Sequence, residues 1–413
     1  MPVTANELAI NGGTPVRTKP WPRWPFVTDD DANAVADVVR SGKWSTNSGE
    51  EVRQFESEFA AYNNVKHAIC VNSGNAALQI ALSALGVQPG DEVIVPDYTY
   101  IATATAVLMN GAVPVLVDID PQTYNIDPDA VRRAITPRTK AIIPVHFSGS
   151  VCAMDELLQI AKENNLIIVE DSAHSHGGTW RGKALGTIGD AGCFSFQASK
   201  NLNSGEGGCI VTNNDDVAMI CRAIASNGRV PRGIWYEHFI NGSTFRMTEM
   251  QGALLRSQLK RLKEQTARRN ANGRFLDEEL AKIDGISPML RDPDQELHPH
   301  HLYMFRYDER TFGLPKSTFV EMLTAEGIPA TPGYGMALHE QPVFSGEGIP
   351  DLFAAHYAPH RDAFDYKNIQ TPVTEKACNS EAVWLGQSIL LAEPEEMNDI
   401  VNAVQKIRNG KCD

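Results

Sequence analysis

Two segments of the sequence place polar groups where they could bind a ligand. Residues 72–78 form a turn of small residues that opens a helix, and free backbone N–H groups at Ser73, Gly74 and Asn75 would make it an anion site. Asp171 ends an apolar stretch, where a carboxylate is costly to bury unless a cation pairs with it. Taken singly, these segments are equally well explained as a helix cap and a turn cap. They indicate a binding site only together with further groups.

Two more segments supply an amine and an aromatic ring. Lys200 lies in a turn after the apolar stretch 193–196, where desolvation and a nearby cation would lower its pKa and leave a usable nucleophile. Tyr100 follows the apolar stretch 92–95 and could stack on a flat cofactor, although packing of a loop explains it too. An anion cradle, a ring, a carboxylate and an amine match pyridoxal 5′-phosphate (PLP), whose aldehyde forms a Schiff base with a lysine and whose ring nitrogen needs a carboxylate. The four segments therefore predict a PLP site.

Alternating apolar and amphipathic segments indicate the fold that positions these residues. Stretches rich in Val and Ile predict five strands, with helices between them beginning near Asn75, Ile101, Asp127 and Met154. This alternation is typical of an α/β protein with a large, mostly parallel sheet covered on both faces. Two more strands follow without a long helix between them, so we expect seven strands and a mixed end. The predicted strands are 67–71, 92–95, 114–117, 141–145, 166–170, 191–196 and 208–212.

The chain of 413 residues is long enough for more than one domain. Four prolines between Pro15 and Pro25 predict that residues 1–25 run extended over the surface. Residues 26–283 are expected to form the large α/β domain, which ends in a long amphipathic helix from about residue 248. Residues 284–413 are expected to form a smaller α+β domain. Its predicted elements are a strand at 302–307 and helices at 317–327 and 395–408.

Composition and charge exclude several classes of protein. With 42% hydrophobic and 21% charged residues, the chain is an ordinary globular protein rather than a disordered or fibrous one. Its net charge of -14 argues against nucleic acid or an anionic membrane as a partner. No apolar run approaches the roughly 18 residues of a membrane span, and residues 1–11 do not read as a signal peptide. We therefore expect a cytoplasmic protein with seven reduced cysteines. We expect no metal site, because the cluster His298, His300 and His301 lacks nearby ligands at metal-site spacing.

Four motifs carry a resemblance to a known family. They are Glu-Asp-Ser-Ala-His-Ser-His-Gly at 170–177, Phe-Ser-Phe at 194–196 followed by Lys200, Gly-Glu-Gly-Gly at 205–208, and Arg-Met-Thr-Glu-Met-Gln at 246–251. Through them the sequence resembles the fold-type I, PLP-dependent aminotransferases of the DegT/DnrJ group, which act on keto sugars and cyclitols. The resemblance extends from about Trp44 to Pro394.

The resemblance implies a role for each site residue. Lys200 would carry the Schiff base and Asp171 would pair with the pyridine nitrogen, so both would be catalytic. Tyr100 would stack on the ring, and His174 would lie near the phenolic oxygen. The phosphate would be held by Ser73, Gly74, Asn75 and Ser195.

One position departs from the family pattern. The family usually completes the phosphate site with an asparagine of the partner subunit, in a Gly-x-Asn-x-Arg segment, and here Thr244 stands at that position. A threonine hydroxyl can donate one hydrogen bond but is shorter. Arg246 would bind the carboxylate of the amino donor, and Trp44 and His339 are expected to line the substrate pocket. The resemblance also implies a homodimer with shared active sites.

The implied function is transfer of an amino group from L-glutamine or L-glutamate to a ketone on a cyclic polyol, a cyclitol or keto sugar, by a ping-pong Schiff-base mechanism. Residues 8–17, 100–104 and 387–394 look like the branch that aminates scyllo-inosose-type ketones, as in aminoglycoside biosynthesis, or makes aminohydroxybenzoate. Alternatives are an aminotransferase for a nucleotide-linked keto sugar and a PLP-dependent dehydratase or aminohydroxybenzoate-forming enzyme. The retained Lys200 favours transamination, because some members with a histidine there are dehydratases. A PLP-binding regulator is disfavoured because no DNA-binding module is present.

Overall fold

The structure is a computed structural model that describes residues 7–230, 234, 236–345 and 365–410. Residues 1–6 of the predicted extended segment, Cys412 and residues 346–364 of the predicted smaller domain lie outside the described residues. The six described cysteines are buried and carry free thiols. None of the described helices is both long enough and apolar enough to cross a bilayer.

A large seven-stranded sheet confirms the predicted α/β fold. The strands of the first half of the chain are β1 (His67–Val71), β2 (Glu92–Pro96), β3 (Val113–Val117), β4 (Thr139–Ile142), β5 (Ile167–Asp171), β6 (Thr179–Trp180), β7 (Lys183–Ala184), β8 (Ala191–Ser195) and β9 (Gly208–Thr212). Seven of them form the sheet in the order β1-β9-β8-β5-β4-β2-β3, and β6 pairs with β7 in a separate hairpin. The pairs from β3 across to β8 are parallel, whereas β9 is antiparallel to both β8 and β1. The mixed end is therefore where the sequence predicts it.

Helices cover both faces of this sheet. They are α1 (Asp29–Ser41), α2 (Glu51–Tyr62), α3 (Gly74–Ala84), α4 (Ala102–Met109), α5 (Pro128–Ala134), α6 (Met154–Asn164), α7 (Asp215–Ala225) and α8 (Glu249–Leu280). One face packs against α3, α4 and α7, and the other packs against α5 and α6. The sheet is buried on both sides, which explains why all five residues of β2 are buried and why its sequence does not alternate.

One predicted strand is shorter than expected. The sequence predicts a strand over 141–145, but β4 ends at Ile142. Pro144 has no N–H group to continue the ladder, and Val145 forms only an isolated bridge with Asp171. The difference matters for the site, because this bridge lies where β5 ends.

A second, antiparallel sheet follows the long helix α8. Its strands are β10 (Ile286–Pro288), β11 (Leu302–Tyr307), β12 (Ala330–Thr331) and β13 (Ala382–Gly386), in the order β10-β11-β13-β12. The accompanying helices are α9 (Glu309–Phe312), α10 (Lys316–Ala325), α11 (Pro342–Ser345), α12 (Pro372–Lys376) and α13 (Met397–Asn409). Its own apolar core draws residues from α8, α10, α13 and the buried Leu8. The domain boundaries at residues 25 and 283 stay predictions.

Candidate active site

The carboxyl ends of the parallel strands meet at one edge of the large sheet. Ligands of open α/β sheets bind at such an edge, because the loops that follow the strands converge there. Tyr100 lies in the loop after β2, Asp171 is the last residue of β5, and Lys200 lies in the turn after β8. The structure therefore brings together residues that are 100 positions apart in the sequence.

Asp171 is a buried carboxylate with two neutral donors. Only 6% of the surface of Asp171 is exposed to solvent. Oδ2 accepts a hydrogen bond from Thr103 Oγ1 at 2.8 Å, and Oδ1 accepts one from the Ala173 N–H at 3.1 Å. Burial raises the pKa of Asp171, although both hydrogen bonds and the positive charge of Lys200 act in the opposite direction. The carboxylate is thus placed to gain from a further cation.

Lys200 presents a half-buried amine to the same edge. Burial lowers its pKa to about 8, and the Asp171 carboxylate opposes this shift. No hydrogen bond or ion pair holds Nζ within the described ranges of the chain. At neutral pH a much larger fraction of this side chain is the free amine than for an ordinary lysine, whose pKa is about 10.4.

His174 is a neutral imidazole stacked on a second histidine. The Ser148 N–H donates to His174 Nδ1 at 3.2 Å, so the ring proton lies on Nε2. The ring stacks on His301 with centroids 4.2 Å apart. Burial lowers the pKa of both rings well below the ordinary histidine value, and the charge of Lys200 adds to this in each case. Both therefore stay uncharged beside Lys200.

Only one member of the histidine cluster at 298–301 reaches the site. His298 and His300 stack on each other with centroids 3.8 Å apart, and the Arg291 guanidinium contacts His300 Nε2 at 2.7 Å. His301 instead hydrogen bonds through Nδ1 with Asn201 Oδ1 at 3.3 Å. His301 is not among the site residues that the sequence predicts, and the histidine cluster itself is the signal that could have found it.

The N-terminus of α3 forms the expected small-residue cradle, but two of its side chains are engaged. Ser73 Oγ accepts from the Ala76 N–H at 3.1 Å, and Asn75 Nδ2 donates to the Ala102 carbonyl at 2.9 Å. The groups left for an anion are the backbone N–H groups of the first turn. A Cβ atom at Gly74 would lie 2.7 Å from Cβ of Ser195, so glycine is needed for the close approach of α3 to β8. The Ser195 side chain therefore borders the cradle.

Tyr100 offers an aromatic ring at the rim of the site. The residue is 62% exposed, so its ring is accessible to a planar group. Burial raises the pKa of the nearby Tyr334 phenol, and the Asp171 carboxylate adds to this shift. The sequence pattern does not predict Tyr334 as a site residue; its loop follows β12.

His339 is tied to the loop after β2. Its Nδ1 lies 2.6 Å from Asp97 Oδ2, and its N–H donates to Asp97 Oδ1 at 2.9 Å. Thr371 Oγ1 donates to the same carboxylate at 2.7 Å. The bond to Asp97 raises the pKa of His339. The pair holds the loop before α11 against the rim of the site, and the role of His339 as a substrate contact stays a prediction.

Three predicted site residues make their contacts elsewhere. Thr244 Oγ1 donates to Asn227 Oδ1 at 3.0 Å, and Arg246 Nη1 donates to the same oxygen at 3.3 Å. Trp44 is 54% exposed, and its indole donates to the Val39 carbonyl at 3.2 Å. None of the three hydrogen bonds to Asp171, His174 or Lys200 in the described part of the chain.

The chain is similar to known proteins over most of its length. A sequence model of the DegT/DnrJ/EryC1/StrS aminotransferase family matches residues 25–405. L-glutamine:2-deoxy-scyllo-inosose aminotransferase of Streptoalloteichus tenebrarius is 38% identical over 423 residues, covering 98% of each chain. 3-amino-5-hydroxybenzoate synthase of Amycolatopsis mediterranei is 37% identical over 378 residues, covering 91% of this chain and 94% of that one. A crystal structure of 3-amino-5-hydroxybenzoic acid synthase superposes with a TM-score of 0.83 and 35% identity, covering 95% of this chain and 99% of that one.

Proposed function

Because the chain belongs to the DegT/DnrJ/EryC1/StrS aminotransferase family, we propose that it transfers the amino group of L-glutamine to the ketone of a scyllo-inosose-type cyclitol with PLP as cofactor. The chain is an aminotransferase, and the proposal concerns its substrates and cofactor. The similarity to the Streptoalloteichus enzyme, which is named for glutamine and 2-deoxy-scyllo-inosose, supports both substrates. The observation that carries the proposal is the buried Asp171 carboxylate, which forms no ion pair with the described residues and lies in the electrostatic field of the Lys200 amine.

The residues at this edge fit PLP. A protonated ring nitrogen would supply the cation that the buried Asp171 carboxylate lacks, and Thr103 and the Ala173 N–H already hold that carboxylate in place. The free amine of Lys200 suits an aldehyde, and the N–H groups of the first turn of α3 suit a phosphate. PLP, when bound, supplies an electron sink for bond breaking at the α-carbon of the amino donor.

The side chains around the cofactor would each have a separate role in binding it or in moving protons. With a pKa of about 8, Lys200 can accept and return a proton near neutral pH. Asp171 would keep the ring nitrogen protonated. His174, with its proton on Nε2, would donate a hydrogen bond to the phenolic oxygen without adding charge. Tyr100 would stack on the ring, and Ser195 would bind the phosphate together with the backbone at Ser73, Gly74 and Asn75.

We propose a homodimer in which a second copy completes the site. Ile234, Tyr236 and Phe239 are 73%, 73% and 55% exposed, so this segment presents an apolar surface that a second chain would cover. Thr244 and Arg246 follow directly in the sequence. They would then bind the phosphate and the donor carboxylate in the partner's site, and Trp44 would line its entrance. We also propose that the protein acts in the cytoplasm.

The lysine variant tests the cofactor assignment. Lys200→Ala is expected to abolish covalent attachment of PLP and to reduce turnover to background, whereas Lys183→Ala, at an exposed lysine of the β6–β7 hairpin, keeps both. Borohydride reduction followed by peptide mass spectrometry measures the attachment. Attachment or full turnover in Lys200→Ala would refute the proposal.

A substrate panel tests the ketone. Protein converted to its amino form with glutamine is mixed with 2-deoxy-scyllo-inosose or with a nucleotide-linked keto sugar, and return of the visible absorbance is followed. We expect reaction with the cyclitol ketone.

Similarity to the Amycolatopsis synthase supports formation of aminohydroxybenzoate as a second candidate. Product analysis separates the two functions. Loss of water with aromatisation identifies the synthase, and gain of one nitrogen without loss of a ring hydroxyl identifies the cyclitol aminotransferase.

A further inference from the structure

The N-terminal segment, residues 7–28, links the second sheet region to the turn that carries Lys200. At its beginning, the Ala9 and Val16 N–H groups donate to the two carboxylate oxygens of Glu326, at 2.9 and 3.0 Å. The Trp21 indole then donates to the Gly327 carbonyl at 2.8 Å. Three residues later the segment leaves these partners and reaches the large sheet, where the Trp24 indole donates to the Ala198 carbonyl at 3.0 Å.

The Ala198 carbonyl belongs to the central peptide of a four-residue turn. Residues 197–200 form this turn, because the Lys200 N–H donates to the Gln197 carbonyl at 2.9 Å. The N–H of the same central peptide, that of Ser199, donates to Gln197 Oε1 at 2.8 Å. The carbonyl of this peptide is therefore held by the Trp24 side chain of the N-terminal segment, and its N–H is held by the Gln197 side chain of the turn itself.

The central peptide lies one residue before Lys200, so its orientation constrains the backbone from which the Lys200 side chain extends. The two common turn types differ by a flip of the central peptide, and the flipped form requires a positive φ at the third residue. That residue is Ser199, a non-glycine whose φ is not positive. The Trp24 and Gln197 hydrogen bonds each favour the observed orientation, and without them the peptide would exchange its partners for water.

Trp24 is itself held in place from the other side. The Arg269 guanidinium lies 5.3 Å from the centre of its ring, and Arg269 is fully buried. Arg269 Nε donates to Gln387 Oε1 at 2.9 Å, next to β13 of the second sheet. Burial lowers the pKa of Arg269 to about 9, which is still above physiological pH, so the group is a cation against the ring.

We propose that Trp24 is a positioning residue for Lys200, acting through the central peptide of the 197–200 turn. The inference rests on the proposed function, since it assumes that the Lys200 amine carries the reaction. A misplacement of about 1 Å at a reacting group can cost 100-fold in rate. The segment therefore has a role in catalysis without contacting the substrate.

The test uses Trp24→Phe, which keeps an aromatic ring beside Arg269 and removes only the indole N–H. The matched control is Trp21→Phe, which removes the same group from the same segment at Gly327. In the PLP-loaded full chain we expect Trp24→Phe to lower kcat roughly ten-fold, with the KM for glutamine nearly unchanged. The pH midpoint of the visible absorbance of the bound cofactor should shift in Trp24→Phe and not in Trp21→Phe.

Variants of Gln197 test the same peptide from its N–H side and do not depend on the N-terminal segment. Gln197→Leu should reproduce the kcat loss and the spectral shift, and Gln197→Glu, which keeps an acceptor oxygen, should restore both. The double variant Trp24→Phe/Gln197→Leu should be less impaired than the product of the single effects, because both act on one peptide. Equal effects of Trp24→Phe and Trp21→Phe, or a wild-type kcat and spectrum in Gln197→Leu, would overturn the inference.

The Lys200→Ala protein separates this failure from failure of the proposed function. If Lys200→Ala loses the attached cofactor while Trp24→Phe behaves like wild type, only the inference fails. If Lys200→Ala keeps the attached cofactor and the turnover, both the proposed function and the inference about Trp24 fail.

Discussion

Asp171 at the sheet edge and Glu326 at the end of α10 are two buried carboxylates with opposite surroundings. Glu326, 1% exposed, accepts from the Ala9 and Val16 N–H groups and from Lys406 Nζ at 2.9 Å. Asp171, 6% exposed, accepts from two neutral donors among the residues that the structure describes. A buried anion that already has its cation stabilises the fold it joins, whereas one that lacks it favours binding of a cationic group. Burial alone therefore does not identify a functional carboxylate, and the set of its partners does.

Removing the charge of Asp171 should give the largest effect on activity. We expect Asp171→Asn to lower kcat by a factor on the order of 10² to 10³, because a positioned charge opposite the cofactor ring is lost. The cofactor-free protein should keep its free energy of unfolding within about 1 kcal/mol, since the variant also removes a buried charge without an ion pair. Steady-state kinetics and urea denaturation measure the two quantities. If Asp171→Asn lost several kcal/mol of unfolding free energy and kept its kcat, Asp171 would be a structural carboxylate like Glu326.

Glu326→Gln should show the opposite division of effects. Its amide cannot accept three hydrogen bonds and leaves Lys406 without its anion, so we expect a loss of about 3 kcal/mol in the free energy of unfolding. Glu321→Gln, at an exposed position of the same helix, should stay within about 0.5 kcal/mol of wild type. The kcat of the folded Glu326→Gln protein should fall far less than that of Asp171→Asn, because the Trp21 and Arg269 contacts still hold the N-terminal segment. If Glu326→Gln lost as much kcat as Asp171→Asn, the division into a catalytic Asp171 and a structural Glu326 would be wrong.

Removing one donor from Asp171 should give an intermediate effect on activity. Thr103→Val deletes the 2.8 Å hydrogen bond to Oδ2, and a hydrogen bond to a charged group contributes about 1.5 kcal/mol, or roughly ten-fold in rate. Thr105→Val on the same helix removes a hydroxyl that bonds the Ala102 carbonyl, and it should leave kcat unchanged. Equal kcat values for the two variants would show that Thr103 does not hold the carboxylate.

The smallest expected effect is a shift in the pH midpoint at which the Lys200 amine reacts. In the cofactor-free protein, labelling of Lys200 by an amine-reactive reagent should reach half its maximal rate near pH 8, because burial disfavours the ammonium form. The Asp171 carboxylate stabilises that ammonium, so Asp171→Asn should move the midpoint to lower pH, while Glu326→Gln should not move it. A midpoint near the ordinary lysine value of about 10.4 would show that the amine is not desolvated.

The sequence predicts the two main groups of the site because their positions follow from local rules. Asp171 ends an apolar strand and Lys200 lies in the turn after another, so both belong to the edge where parallel strands end. The large sheet, with its reversed strand β9, follows from the same periodicity. Residue type and strand order are enough to predict the large sheet and the edge at which Asp171 and Lys200 lie.

The partners of these groups could not be predicted in the same way. Thr103 lies in α4, whose residues are mostly small and apolar and show no polar face, so its contact 68 residues away has no local signal. The contact between Trp24 and Ala198 spans 174 residues, and the proline-rich segment predicts only an extended chain. Such contacts depend on how the elements pack, and the distances that decide them have no counterpart in the sequence pattern.

The docking of the N-terminal segment also sets an order on synthesis of the chain. Its anchor Glu326 is made 317 residues after Ala9 and 310 residues after Val16, and a ribosome adding about 5 to 20 residues per second needs roughly 15 s to a minute for that length. Until then the strands of the large sheet can pair and Trp24 can already reach Ala198 and Arg269, but the beginning of the segment has no partner at Glu326. The hydrogen bond between Trp24 and the turn at Lys200 can therefore form before the segment is anchored at Glu326 and Gly327, and that anchoring then fixes a contact already made.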